Sequence, residues 1–209
     1  MLPLDPLSSH SPIFRLLKRA AASDVRAELD RLSSLSSLGP LEQASLRYAQ
    51  GVLGLREGEL DQAHLALNEA FGAFEQLGEK QAAMFCRCEA LMATIRRGPR
   101  SVYSGAVNEL DTIEKGAGDD IRLKVVAMHY AATATRMSGD AVGTEKWLLR
   151  ALSASENVPD ERAKVLNSMG TLYVVMGVYG AAESLLSHAA ELHHQFGDAV
   201  GEAIAYGQL

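Results

Sequence analysis

Cysteine is almost missing from this sequence, since the only two among 209 residues are Cys86 and Cys88. Residues two apart on a helix point to different sides, so these thiols would neither form a disulfide with each other nor hold one metal ion together. A small scaffold held together by disulfides is therefore excluded. We expect both thiols to pack in the interior of a cytoplasmic protein, where the environment is reducing.

Long apolar runs are missing as well, because no stretch approaches the roughly 18 residues that a membrane span requires. The chain begins with Pro3, Asp5 and Pro6 where a secretory signal would have a basic start and an unbroken apolar run. The net charge is −6, which argues against nucleic acid or an anionic membrane as a general partner. The sequence therefore predicts a cytoplasmic protein that binds neither a membrane nor nucleic acid.

The motifs of catalysis are missing too. The sequence has no Gly-x-Ser-x-Gly elbow, no Walker loop and no Gly-x-Gly-x-x-Gly, and Cys86 lies within a predicted helix without an evident base to activate it. The densest set of metal-capable side chains has no helix face that collects three ligands; it comprises His188, Glu191, His193 and His194. We expect no enzyme activity, no cofactor and no metal ion within these residues.

What the chain does have is a repeat. Gly58, Gly98, Gly139 and Gly177 follow one another at spacings of 40, 41 and 38 residues, and each ends a predicted helix. A period of about 40 residues indicates helical hairpins stacked in sequence. Aromatic residues make up only 6% of the chain and alanine is abundant, which suits thin, closely packed helices. We find no candidate β-strand.

The clearest unit occupies residues 163–194, and the first unit repeats its pattern 119 residues earlier. Gly51 matches Gly170, and Ala63 matches Ala182. In both units we expect the glycine to face the alanine, so that the two helix backbones approach closely. The other pattern positions of the clearest unit are Leu166, Met169, Tyr173, Leu186 and Ala189.

This pattern resembles the tetratricopeptide repeat (TPR), and its length resembles that of the long arrays found in bacterial regulators. The resemblance covers roughly residues 41–209. It implies an all-α, right-handed TPR-like solenoid of about five helical hairpins plus one terminal unpaired helix. A first helix is predicted to start at Ser11 and Pro12. The further predicted helices are 24–35, 41–57, 60–77, 80–97, 102–115, 120–138, 141–155, 160–176, 180–196 and 199–209.

The predicted organisation is an extended arm over residues 1–10 and a single solenoid domain over residues 11–209. Its parts are a divergent capping hairpin at 11–38, repeats at 41–78, 79–116, 120–156 and 159–197, and the start of a further repeat at 198–209. Because this last segment begins a helix without a partner helix, we expect the chain to be an N-terminal piece of a longer protein.

The first helices of TPR hairpins form a concave groove, and the resemblance places a partner-binding site there. Its lining grades from apolar to polar along the chain, which suits an amphipathic helix or an extended peptide. Tyr48 and Phe85 are predicted to be exposed aromatic anchors. The alternative is that some of these side chains pack in the core. The predicted lining is Tyr48, Val52, Leu55, Phe85, Cys88, Met92, Arg96, His129, Thr133, Arg136, Asn167, Thr171 and Val174.

A second candidate site is the loop around Gly98 and Pro99, which is flanked by Arg96, Arg97 and Arg100. Three arginines this close together would hold a phosphate or an acidic peptide. The alternative is a solvated basic loop whose arginines bind the last carbonyls of the preceding helix.

These observations favour a non-catalytic protein–protein interaction scaffold, the docking or sensing arm of a larger signalling protein. Two alternatives stay open. The chain would be a regulatory or oligomerising segment of an enzyme, such as a cyclase, kinase or caspase-like protease, whose catalytic domain lies beyond Leu209; or the groove would sense a small molecule or a peptide pheromone. The apolar residues Ile204, Tyr206 and Leu209 also predict self-association through the C-terminal end.

Overall fold

The computed structural model describes residues 22–35 and 37–209. The predicted N-terminal arm and the first helix of the predicted capping hairpin lie outside these residues. Contacts between Cα atoms divide the chain into two compact units, which meet in sequence at Pro99 and Arg100. The single domain over residues 11–209 stays a prediction.

The described part of the first unit contains four helices: α1 (Ala22–Ser33), α2 (Pro40–Glu57), α3 (Leu60–Gln76) and α4 (Lys80–Arg97). The second unit begins with a short 3₁₀ turn (Arg100–Val102). Six helices follow: α5 (Tyr103–Gly116), α6 (Ile121–Ser138), α7 (Ala141–Ala154), α8 (Pro159–Val175), α9 (Tyr179–Phe196) and α10 (Ala199–Gln208). Residues 22–35 and 37–209 contain no β-strand.

The helix boundaries follow from local sequence signals. Pro40 occupies the first turn of α2, and the Glu42 carboxylate accepts the Gly39 N–H at 2.8 Å. Gly58 ends α2 with φ of 81°, a left-handed conformation that costs glycine least. Asp120 caps α6 by accepting the Leu123 N–H at 2.9 Å. These signals stop and start the chain often enough to give short helices in series.

Within each unit the helices pack on their neighbours in sequence. The pairs with extensive contact are α2 with α3 and α3 with α4 in the first unit, and α5 with α6, α6 with α7 and α8 with α9 in the second. First helices of successive hairpins also touch, namely α2 with α4 and α6 with α8. The final helix, α10, packs on both α8 and α9. This sequential packing confirms the predicted all-α hairpin fold within each unit.

Two glycines hold equivalent positions in the two units. A Cβ atom added at Gly51 of α2 would lie 2.5 Å from Leu67 Cγ of α3. A Cβ atom added at Gly170 of α8 would lie 2.6 Å from Leu186 Cγ of α9. Since real Cβ atoms do not approach other carbons this closely, glycine is required at both helix crossings. The predicted close approach is therefore confirmed, although the residue against each glycine is a leucine side chain as much as an alanine.

The core of each unit is built from small and branched apolar side chains. In the first unit, Leu67 and Phe74 are at most 1% exposed and pack with several alanines of α3 and α4. In the second, Val125, Leu148 and Val165 bring together α6, α7 and α8. No helix of the described residues is both long enough and apolar enough to cross a membrane.

Candidate functional site

The first-unit half of the predicted groove is largely interior. Tyr48 and Leu55 are 5% and 6% exposed and belong to the cluster that joins α2, α3 and α4. Phe85 and Cys88 are 6% and 0% exposed. The prediction that Tyr48 and Phe85 are exposed aromatic anchors is therefore wrong, and Leu55 and Cys88 are buried as well. The helical spacing identified one face of each helix, but that face lies against neighbouring side chains.

The remaining first-unit positions are only partly accessible. Val52 and Met92 are half-buried and pack against the same apolar cluster. Arg96 is exposed, and its guanidinium donates a hydrogen bond to the backbone carbonyl of Leu55. That contact ties the last turn of α4 to the last turn of α2. Val52 and Met92 offer no hydrogen-bonding group, and Arg96 keeps guanidinium N–H donors beyond the one bound to Leu55.

The second-unit half of the predicted groove is polar and accessible. Helices α6 and α8 lie side by side and present His129, Thr133, Asn167 and Thr171, all of them half-buried. The ends of this strip are the exposed Arg136 on α6 and the half-buried Val174 on α8. We call these six residues the α6–α8 strip; it comprises His129, Thr133, Arg136, Asn167, Thr171 and Val174. The structure thus keeps the polar half of the predicted groove as a candidate site.

His129 is a neutral hydrogen-bonding group in this strip. Burial lowers its pKa to about 4, and the positive charges of Lys164 and Arg136 act in the same direction, while Glu161 opposes them. Its Nε2 atom lies 2.7 Å from Ser168 Oγ of α8. The neutral imidazole has one donor and one acceptor nitrogen, and either can form a hydrogen bond with a hydroxyl group. The contact with Ser168 therefore links α6 to α8.

Asn167 has hydrogen-bonding capacity that the protein leaves unused. Its Oδ1 atom is buried and accepts no hydrogen bond from the part of the chain that the structure describes. The backbone carbonyl of the same residue accepts the Thr171 hydroxyl at 2.9 Å, and the Thr133 hydroxyl donates to the His129 carbonyl at 3.1 Å. Both hydroxyl oxygens keep lone pairs for a further donor. Because most buried polar atoms are paired, an orphaned amide oxygen marks this point of the strip.

A charged network that the sequence did not predict joins the N-terminal turns of α6 and α8. Arg122 donates to both carboxylate oxygens of Asp160, at 2.7 and 2.8 Å, and to Glu161 at 3.0 Å. Lys164 contacts Glu161 at 2.9 Å. Burial opposes the charge of Arg122, but the two carboxylates outweigh it and raise the pKa of the guanidinium. The network fixes the spacing of the two helices that carry the α6–α8 strip.

Two of the three predicted arginines of the Gly98–Pro99 loop have partners within the first unit. Arg97 forms an ion pair with Asp61 at 2.6 Å, within the first unit. Arg96 binds the Leu55 carbonyl, as described above. Arg100 belongs to the second unit, where it lines a cleft between helices. The shared anion site stays a prediction, and of its three arginines only Arg100 has no partner among the described residues.

The histidines near the end of α9 have separate roles. His193 is 3% exposed, and its Nδ1 atom lies 2.9 Å from Asp198 Oδ2. The ring of His194 is exposed and contacts Glu202 at 3.2 Å. Among residues 22–35 and 37–209, no group of three or more His, Cys, Asp or Glu side chains is placed to hold a metal ion. Burial also raises the pKa of the Cys86 thiol, and the charge of Glu89 adds to this effect.

The chain therefore has an all-α TPR-like fold, with a polar strip on the first helices of two successive hairpins. The sequence matches no known family model and no curated protein. Solved structures do match. NprR in complex with its cognate peptide NprX aligns with a TM-score of 0.60 and 14% identity, over 90% of this chain and 65% of that chain. The apo form of the quorum sensor NprR from B. thuringiensis aligns with a TM-score of 0.55 and 14% identity, over 90% and 64% of the two chains.

At this level of identity the similarity shows the fold alone. The chain spans about 65% of the length of the NprR chains that it matches. What the structural neighbours bind is a property of those proteins.

Proposed function

We propose that this chain is a non-catalytic peptide-binding module of a regulatory protein, and that the peptide lies along the α6–α8 strip of the second unit. The observation that carries the proposal is the buried Oδ1 atom of Asn167, which no described residue satisfies. A buried acceptor without a partner costs roughly 1–3 kcal/mol, so a turn of this half-buried side chain that brings Oδ1 to a ligand donor gains an interaction that folding did not use.

A polypeptide backbone is the ligand that suits this strip best. A peptide in extended form presents alternating N–H and C=O groups, and the amide of an asparagine side chain matches both. Thr133, Thr171 and the neutral His129 offer further donors or acceptors along the same line, on the two adjacent helices. Val174 supplies an apolar contact at one end. The strip therefore combines backbone recognition with at least one side-chain contact.

The structural neighbours support the same class of partner. One of them is NprR bound to a cognate peptide, and the other is described as a quorum sensor. These proteins resemble this chain in fold alone, so the likeness does not indicate which peptide sequence this chain would bind. The proposed role is docking or sensing within a regulatory protein.

The test is a selection of short linear peptides from a random display library against the protein, followed by calorimetry with the best sequence. Replacing Asn167 with alanine should weaken binding by about tenfold or more, equivalent to about 1.4 kcal/mol or more. The same change should not lower the free energy of unfolding, because the lost oxygen has no hydrogen bond in the folded chain and its burial is a cost to folding. Asn157→Ala, at an exposed position in the turn before α8, is the matched control and should leave the affinity unchanged.

Two results would contradict the proposal. One is a selection that yields no peptide above background from a library of high diversity. The other is a selected peptide whose affinity falls equally in the Asn157 control and in the Asn167 variant, since binding would then lie outside the strip.

A further inference from the structure

The second unit contains a cleft that is separate from the α6–α8 strip. Its volume is about 620 Å³. One wall is the 3₁₀ turn and α5, the other wall is α7, and the floor is the last part of α6. The floor residues, Ala134, Thr135 and Ser138, differ from the α6 residues of the strip. Cavities of roughly 300–1,000 Å³ are the size that binds small molecules.

Two cations in this cleft have no partner. Arg100 and Lys146 stand on opposite walls and are exposed, and neither forms an ion pair or a side-chain hydrogen bond with another residue of the described chain. The whole protein carries a net charge of −6, so these two cations are not part of a generally basic protein. Positive charge held in a concave site attracts anions.

The two carboxylates that line the cleft are already engaged. Asp111 pairs with Lys115 on its own helix. Asp140 caps α7 by accepting the Gly143 N–H at 2.8 Å. Neither carboxylate contacts Arg100 or Lys146, so neither neutralises them.

A second cleft in the first unit provides the contrast. It has a volume of about 310 Å³ and is lined by residues of α1, α2 and α3. Both of its arginines are ion-paired, Arg26 with Glu57 and Glu59, and Arg47 with Glu69. Both arginines of this smaller cleft are therefore neutralised by carboxylates, whereas Arg100 and Lys146 of the larger cleft have no ion pair among the described residues.

The larger cleft also has an aromatic wall. Trp147 lines it and is half-buried, and the guanidinium of Arg150 lies 4.4 Å from the centre of its ring system. Arg150 is itself held by Glu114 at 2.9 Å, which keeps this pair in place. Trp147 also packs against the second-unit core, and the part of the indole that lines the cleft is an apolar contact for another planar ring. Small polar groups, those of Ser104, Asn108 and Ser138, also line the cleft.

We propose that this cleft binds a nucleoside phosphate. Arg100 and Lys146 would bind the phosphate oxygens, since guanidinium and ammonium groups are the side chains that recognise phosphate. The base would pack beside Trp147, and the hydroxyl and amide groups would bind the sugar. An acidic peptide is the other anion to consider, but a bounded cleft with one aromatic wall suits a small molecule with a ring at one end and a charge at the other. The proposal is independent of the peptide site, because the two share no residue.

The single tryptophan of the chain makes a direct experiment possible. Titration of the full chain with ATP should change the fluorescence of Trp147, and the titration curve gives the affinity. Two further titrations separate the parts of the ligand: tripolyphosphate has the charge without the ring, and adenosine has the ring without the charge. Both should bind at least about tenfold more weakly than ATP, because each lacks one of the two contacts.

Variants locate the site. Arg100→Ala and Lys146→Ala should each weaken ATP binding by about tenfold, because each removes one charge-assisted contact, and their melting temperatures should not change since both side chains are exposed and unpaired. Lys80→Ala, at an exposed lysine that begins α4 in the first unit, is the matched control and should bind ATP as the native chain does. Melting curves for all variants show that they are folded.

Three outcomes would overturn the proposal. The first is no fluorescence change with ATP at millimolar concentration. The second is equal affinity for ATP and tripolyphosphate, or for ATP and adenosine, because one half of the ligand would then be irrelevant. The third is a response to an acidic peptide that ATP does not compete with and that the Arg100 and Lys146 variants abolish, which would assign the cleft to polypeptide.

Discussion

At the scale of the residue, Tyr48 and Tyr206 are side chains of the same kind that differ widely in solvent exposure. Tyr48 is 5% exposed and packs among α2, α3 and α4, whereas Tyr206 on α10 is 60% exposed. A buried aromatic ring contributes its whole apolar surface to folding, and an exposed ring contributes little. Comparing alanine variants of the two tyrosines therefore measures how much the buried ring of Tyr48 contributes to the stability of the first-unit core.

Replacing Tyr48 with alanine should lower the free energy of unfolding by about 3–5 kcal/mol, the range for large aromatic residues in cores. Tyr206→Ala is the matched control and should change it by no more than about 0.5 kcal/mol. Urea denaturation followed by circular dichroism measures both. If the two variants were equally stable, the placement of Tyr48 in the core would be wrong.

The same residue shows what the sequence could and could not predict about the site. Helical spacing places Tyr48, Val52 and Leu55 on one face of a helix, and that placement is independent of the rest of the chain. Whether the face meets water depends on the neighbouring helices, which a single sequence does not reveal. Asn167 is polar and half-buried, so the register alone identified it, but the orphaned state of its oxygen required the surrounding structure.

His129 gives the fold a dependence on pH. Burial lowers its pKa from 6.5 to about 4. Between these values the unfolded chain binds a proton at this ring and the folded chain does not, so stability falls as the pH falls through this window. We expect a loss on the order of 1–3 kcal/mol between pH 7 and pH 4 from this group.

The measurement is the urea midpoint at a series of pH values for the native chain and for His129→Gln, which does not titrate. The variant should lose less stability than the native chain across this range. His188→Gln, which changes an exposed histidine of α9, should follow the native curve. Parallel curves for the native chain and the His129 variant would contradict the assignment.

At the scale of the element, α10 depends on the residue that begins it. Asp198 caps the helix by accepting the Gly201 N–H at 3.0 Å, and its other oxygen lies 2.9 Å from the buried His193. Burial opposes the charge of this carboxylate, but the hydrogen bonds from His193 and Gly201 and nearby positive charge outweigh it and lower the pKa of Asp198. One side chain thus starts a helix and fixes the end of the preceding one.

Replacing Asp198 with alanine should cost about 2–3 kcal/mol, because it removes a helix cap and leaves a buried histidine without its partner. Asp120→Ala, which removes the cap of α6 at Leu123, should cost about 1 kcal/mol. Urea denaturation measures the totals, and hydrogen exchange should show the α10 amides exchanging fastest in the Asp198 variant. Equal losses in the two variants would mean that the contact with His193 adds nothing.

The helices themselves were predictable because their end signals are local. The predicted 41–57 is observed as Pro40–Glu57, and the predicted 180–196 as Tyr179–Phe196. Proline, aspartate and left-handed glycine act within one turn of the chain, so no distant contact is needed to read them. The segment after Gly98 was less clear, since the 3₁₀ turn at Arg100–Val102 has no such signal and delays the start of α5 to Tyr103.

At the scale of the whole molecule, the side of α10 away from its hairpin is apolar. Ala205 is buried against α8 and α9, but Val200, Ile204, Tyr206 and Leu209 are 51%, 51%, 60% and 56% exposed. Ile204 and Tyr206 therefore do not pack on their own hairpin, which leaves them available to a neighbouring molecule. Four exposed apolar side chains on one short helix favour contact with another molecule.

We predict that the chain self-associates through α10 as its concentration rises, and that Ile204→Asp weakens this association because it places a charge in the apolar group. Sedimentation velocity over a range of concentrations measures it. Val142→Asp changes an apolar residue of α7 that is 80% exposed, and should leave self-association as it is. A native chain that stays monomeric throughout would contradict the prediction.

The positions of the two cysteines and the one tryptophan have a practical consequence for following how this chain unfolds. Cys86 and Cys88 lie buried on α4 of the first unit, and the sole tryptophan, Trp147, lies on α7 of the second. A thiol reagent in solution reacts only when α4 opens, while indole emission responds to events around α7. The native chain therefore needs no added label, because thiol reactivity reports on the first unit and tryptophan fluorescence on the second. Equal unfolding rates from the two signals would indicate a single cooperative transition, and different rates would indicate two.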